Sequence, residues 1–186
     1  MRVFLLLTSI TLIFSCKGKI GDWEVYKDRY NISSISFPNL PAERIDTTTN
    51  SLVNYTMLST LDSIDTSPSV FAKHILYPVN IAELDLFTIK KDSNRLNSLF
   101  MKMIDGALNQ SNSILKSKDF FIYPEPGVKF VTIDQTNSMK TVSRIIIFDN
   151  LVINTNATGK SDIFDEETEV KFFNSLKINR DKSDRK

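Results

Sequence analysis

The chain has 186 residues, 41% of them hydrophobic, with 23 basic and 22 acidic side chains, one cysteine and one histidine. A formal net charge of +1 provides no field to gather nucleic acid, which demands a marked basic excess. A single cysteine admits no intrachain disulfide, so stability has to come from a packed core.

The chain begins Met1-Arg2, continues with an apolar run from Val3 to Phe14, and reaches Ser15 and Cys16. A positive start, an apolar centre and a small residue at the cut are the layout of a secretory signal. The run is about 12 residues long, against the ~20 that a membrane-spanning helix needs. Leu12-Ile13-Phe14-Ser15-Cys16 resembles the lipobox of bacterial lipoproteins, with aliphatic Ile13, small Ser15 and the acceptor Cys16. Phe14 stands where that box usually has a small or aliphatic residue. The resemblance implies that residues 1–15 are a signal peptide. Cys16 would then carry a thioether diacylglycerol and an amide-linked third chain such as palmitate. At ~0.8 kcal/mol per buried methylene, two or three chains anchor almost permanently. Cleavage leaves about 170 residues, a comfortable size for one domain. Lys17-Gly18-Lys19 follows the cysteine, and the first acid is Asp22. Surface-exported lipoproteins of Bacteroidetes-like bacteria usually carry acids there, so the domain is expected to face the periplasm, from the outer membrane.

Residues 16–24 read as a tether, with two of the five glycines. The domain follows at 25–178, and 179–186 is a polar tail. Trp23, Tyr26 and Tyr30 are expected to pack against the domain edge. Asn31 to Phe37 alternates as a strand and ends at Pro38. Val53, Tyr55, Met57 and Leu61 share one strand face, and Asp62 to Ser69 turns into a strand over Val70–Tyr77. A polar and an apolar face point to an antiparallel meander. Leu96, Leu99, Phe100, Met103, Ile104, Ala107 and Leu108 step by three and four, which predicts a helix from about Ser93 to Gln110, capped by Asp92 or Ser93. Gly106 inside it suggests a close contact. Phe120–Tyr123, Lys129–Asp134 and Lys140–Phe148 read as strands. Arg144 to Phe148 is apolar enough to be covered on both faces. Asp149-Asn150 then suits a two-residue hairpin into Leu151-Val152-Ile153. A last helix runs from about Asp162 to Leu176, with Val170, Phe173 and Leu176 facing inward.

This order resembles the PsbP-like family. The resemblance is carried by Tyr30-Asn31-Ile32 … Ser36-Phe37-Pro38, the long helix, the late hairpin Arg144 … Ile153, and the ending Phe172-Phe173-Asn174-Ser175-Leu176. Asp149 and Asn150 replace the family's usual hairpin glycines. The resemblance implies an α+β fold, an antiparallel sheet flanked by helices, in one domain. The family's last helix typically closes on an aromatic, a spacer, serine and an apolar residue. It implies no common catalytic residue, and members act chiefly as accessory or binding proteins.

The residues offer little for catalysis. His74 is the lone histidine, on one strand face with Ala72 and Leu76, too few for a His-based zinc site or a Ser-His-Asp triad. It reads as structural or half-exposed, with little expected from its removal. Ser113-Ile114-Leu115-Lys116 matches Ser-x-x-Lys, but Lys140-Thr141 runs into Val142 and lacks the companion glycine. Asp162, Asp165, Glu166 and Glu169 make an acidic face, a weak cation candidate that more simply reads as solvated. Asp46-Thr47-Thr48 and Asp62-Ser63-Ile64 resemble Bacteroidetes O-glycosylation sites and equally fit chance. The expectation is a non-catalytic, lipid-anchored accessory or binding protein of the envelope, without cofactor, with an envelope protein partner and no nucleic acid. The alternative is a solute- or peptide-binding lipoprotein with a sheet–helix cleft lined by Tyr55, Tyr77 or Tyr123. A hydrolase stands behind both.

Overall fold

The computed structural model describes residues 23–38, 40–46, 51–58, 70–78, 92–122, 124–149, 151–161 and 166–181. Cys16 and the signal segment, Asp62-Ser63-Ile64, Tyr123, Asp162 and Asp165 lie outside them, as do the side chains of Tyr55, Met57 and Tyr77.

The described residues open with a hairpin of β1 (Glu24–Lys27) and β2 (Ser33–Phe37), then β3 (Ala42–Asp46), β4 (Ser51–Leu58) and β5 (Val70–Pro78). Helix α1 (Ser93–Asn109) follows, then β6 (Ser113–Phe121), β7 (Gly127–Asp134), β8 (Met139–Phe148) and β9 (Leu151–Lys160). Helix α2 (Glu166–Asn174) and the short β10 (Lys177–Ile178) close it. Seven strands form one sheet in the order β3-β4-β5-β9-β8-β7-β6, and β1-β2-β10 form a second. Every neighbouring pair is antiparallel.

Strand alternation divides the core between the two faces of the large sheet. On one face Leu96, Phe100 and Ile104 of α1 pack on Val128, Phe130, Ile145, Ile147 and Val152. On the other, Ile35 and Phe37 of β2 with Phe172 and Phe173 of α2 cover Ala72, Val142 and Ala157. Leu52, Leu76, Ile146, Phe148 and Ile153 make a third cluster. The consecutive Ile145, Ile146, Ile147 and Phe148 are all buried because β8 is interior and covered on both sides. Asp92 caps α1 by accepting from the amides of Asn94 and Arg95. Asp149, at φ 49°, supplies the left-handed turn joining β8 to β9, with Phe148 opposite Leu151.

Ser175 shows why the final helix closes on serine. Its Oγ donates to the Phe172 carbonyl at 2.7 Å and accepts from the Ser36 amide at 2.9 Å, which ties the end of α2 to β2.

Several elements differ from the sequence reading. Trp23 and Glu24 belong to the domain rather than the tether: Glu24 opens β1, and Trp23 packs on Phe172 with its ring centroid 6.4 Å away. Tyr26 likewise meets Phe37, whereas Tyr30 is exposed. Strand β6 starts at Ser113, seven residues before the apolar signal at Phe120, and ends at Phe121. It is an edge strand whose register shifts between Leu115 and Ser117, so period-two alternation fails there. Strands β3 and β10 leave no clear sequence signal, being short and at sheet edges.

Candidate binding groove

Among the described residues, the α1 face of the large sheet is only partly roofed. Helix α1 lies over β6 and β7, and beside it the sheet carries a groove of about 1040 Å³. Alternation brings Asn154, Asn156 and Thr158 of β9 to this face, with Thr141 and Ser143 of β8 and Phe71 and Lys73 of β5. The pairing register aligns them in rows. One row reads Phe71, Thr158, Thr141, Thr132, and the next Lys73, Asn156, Ser143, Phe130. Thr141 and Thr158 share a hydrogen bond of 2.9 Å between hydroxyls. The buried Oδ1 of Asn154 has no hydrogen-bond partner among the described residues.

Gly106 lies on the helix side of this groove. A Cβ there meets none of the described residues within 4 Å, so the expected close contact is not found among them. Gly106→Ala is therefore expected to stabilise the fold by up to about 1 kcal/mol, through helix propensity alone. Urea unfolding checks this, and a loss of stability would contradict the open space at Gly106.

Directly behind the groove, on the opposite face of β5, His74 is fully buried. It was expected to be structural or half-exposed, and it is a structural residue in a complete hydrogen-bond chain. Asp28, in the β1–β2 turn, accepts from the amides of Tyr30, Ile32 and Ser33 and from Ser33 Oγ. With the Ser33 hydroxyl proton committed to Asp28, His74 Nε2–H donates to Ser33 Oγ (2.7 Å). The Thr155 hydroxyl then donates to Nδ1 (3.1 Å), and the neutral ring is fully satisfied. Burial pushes the His74 pKa down to about 4, with nearby Asp28 opposing. Serine, histidine and aspartate thus do meet, but Asp28 holds the serine instead of the imidazole, and Ser33 is 3% exposed. The Ser33 hydroxyl proton is committed to Asp28 and not to the imidazole, so triad geometry is not formed. Sequence spacing could not reveal this cluster, because Ser33, His74 and Thr155 meet only through tertiary pairing.

Of the acidic candidates, Glu166 and Glu169 lie among the described residues, and they differ. Glu166 is exposed, while Glu169 is 7% exposed and turned onto the sheet. Lys129 Nζ lies 2.7 Å from one of its oxygens and Lys140 Nζ 3.1 Å from the other. Burial would raise the Glu169 pKa, yet the two lysine hydrogen bonds and charges outweigh it and hold the carboxyl below its ordinary range. Of the expected solvated acidic face, Glu166 is exposed and Glu169 is not, while Asp162 and Asp165 lie outside the described residues; the expected inward position of Val170 is not found. Val170 is exposed, and the inward positions are Glu169, Phe172 and Phe173. The helix is rotated from the simple apolar reading because two lysines on the sheet neutralise Glu169. Ser113 and Lys116 lie on extended β6, where positions three apart do not share a face as they would on a helix.

The chain matches no protein-family model and no curated protein. Among solved structures it is similar to cyanobacterial PsbP (CyanoP) from Synechocystis sp. PCC 6803. That likeness has a TM-score of 0.56 at 11% identity, over 90% of this chain and 99% of that one. The fold is PsbP-like. A protein of unknown function from Pseudomonas aeruginosa is more distant, with TM-score 0.43 and 11% identity over 76% of this chain and 85% of that one. A Bacteroides thetaiotaomicron protein reaches TM-score 0.40 at 9% identity, over 85% and 49%. At such identities the likeness concerns architecture. Within the PsbP-like fold seen here, the groove occupies the α1 face, and the small sheet with α2 covers the opposite one.

Proposed function

We propose that the protein is a lipid-anchored, periplasm-facing binding protein of the cell envelope that captures its ligand in the α1-side groove and does no chemistry there. The observation that carries this reading is the groove itself. Its described lining is dominated by amides, hydroxyls and apolar side chains, groups suited to holding a ligand. The lipid anchor rests on the signal layout and on Cys16 at the cut. The eight residue-to-residue steps from Cys16 to Glu24 span at most about 28 Å, so the anchor joins the domain close to β1. Strand β1 belongs to the small sheet, on the far side of the large sheet from the groove. An anchor attached there leaves the groove away from the side of attachment.

Two measurements on cells test this. Radiolabelled palmitate should enter the wild type and not Cys16→Ala, and equal labelling would end the lipid anchor. A photo-crosslinking residue at Phe71 or Lys73 should form adducts in intact cells, whereas one at exposed Val170 should not. Adducts confined to Val170 would place binding on the wrong face.

A further inference from the structure

The groove's chemistry also selects among ligand classes. We infer that it takes an uncharged, polyhydroxylated ligand, a short neutral oligosaccharide; this rests on the binding reading above. The groove floor is formed by β5, β9 and β8, each paired on both sides. Their backbone donors and acceptors are consumed in the ladders, so side chains must do the recognising. An extended peptide bound by strand addition needs a free edge, which this floor does not offer.

The polar side chains on β8 and β9 are carboxamides and hydroxyls: Asn154, Asn156, Thr158, Thr141 and Ser143. A carboxamide presents an acceptor beside two donors, which complements a pair of neighbouring hydroxyls that each donate and accept. The buried, unpartnered Oδ1 of Asn154 is an acceptor already removed from water, and a ligand O–H would satisfy it. Phe71, 37% exposed, adds an apolar ring against which the C–H face of a sugar can pack. Lys73 and Asp134 are the ionisable residues of the described lining, one of each sign. A phosphate or carboxylate ligand would call for clustered cations, and the described lining gathers none. The volume of about 1040 Å³ sits at the top of the ~300–1,000 Å³ range of small-ligand sites, room for several sugar rings.

The test uses the full chain in detergent, with ¹⁵N spectra of the side-chain amides. The probes are neutral tetrasaccharides of glucose and of N-acetylglucosamine in α and β linkage, tetra-alanine, and inorganic phosphate. At least one saccharide should shift the Asn154 and Asn156 amide signals saturably. Asn156→Ala and the groove-filling Gly106→Phe should each weaken that titration by about tenfold or more while the melting temperature holds. Shifts caused by tetra-alanine or phosphate but by no saccharide would overturn the ligand class and leave the binding groove standing. Silence of these amides to every saccharide, combined with cellular adducts at Phe71 or Lys73, would do the same. Silence to all probes without such adducts would remove both readings. Saccharide shifts that persist undiminished in Gly106→Phe would place the sugar elsewhere and also overturn the inference.

Discussion

Phe100→Ala is expected to lower the free energy of unfolding by about 3–5 kcal/mol, a large share of the 5–15 kcal/mol typical of a whole domain. Phe100 is 1% exposed and sits in the middle of the inward stripe of α1, between Leu96 and Ile104. Its ring reaches Phe120 with centroids 6.4 Å apart, and the cluster beneath it joins β7, β8 and β9. Truncation therefore leaves a cavity where the helix is fastened to the sheet, and the paired strands below cannot readily collapse to fill it. Denaturant unfolding of the wild type and variant at one pH measures the difference. A cost below about 1 kcal/mol would mean that α1 is not docked through this stripe.

Stability is also expected to fall by about 3 kcal/mol as pH drops from 6.5 towards 4, through His74 alone. The ordinary histidine value of 6.5 applies to the unfolded chain, whereas burial holds the folded ring at about 4. Because the folded value is the lower one, the unfolded chain binds the extra proton across that window. The stabilisation is thus complete above 6.5 and is lost on acidification. Protonation would also place a second ring N–H against the Thr155 hydroxyl, which now donates to Nδ1. Asp28 is the nearby charge that opposes the shift. Glu169, also held low, loses its contribution only below the ordinary carboxylate value, so the two windows can be told apart. Urea unfolding between pH 7.5 and 4 checks this, with His74→Gln as control. The variant should start less stable, since it breaks the Ser33–Thr155 chain, and then vary less with pH. A variant as stable as the wild type and equally pH-sensitive would refute the assignment. Removing His74 is costly, contrary to what its lone place in the strand suggests: a fully buried, doubly hydrogen-bonded ring cannot be deleted without stranding its partners.

The elements legible in the sequence are those whose signals are local and strong. The three-and-four spacing from Leu96 to Leu108 and the cap at Asp92 suffice for α1. The unbroken run through Ile145, Ile146 and Ile147 announces an interior strand, and Asp149-Asn150 announces its turn. Of the apolar residues whose spacing points inward, Phe37, Phe100, Ile146 and Phe173 are buried and Leu99 and Met103 partly so, while the Met57 side chain lies outside those described. A strand's or helix's own periodicity encodes these features, because each residue's neighbours along the chain suffice to place it.

The rest depends on groups that share no local pattern. Glu169 faces inward only because Lys129 and Lys140, on two different strands, reach its oxygens. A carboxylate beside exposed acids reads as solvent-facing until those cations are brought to it. His74 looks like an ordinary strand residue until pairing brings Thr155 alongside and β2 lays Ser33 over it. The groove is likewise absent from any single segment. Asn154 and Asn156 read as polar interruptions of a strand. They come to line one groove because β9 lies between β5 and β8, and because, among the described residues, α1 packs mainly towards the β6–β7 side of that face. Local spacing decides which way each side chain points along its own element, while the register between distant strands decides what it meets there.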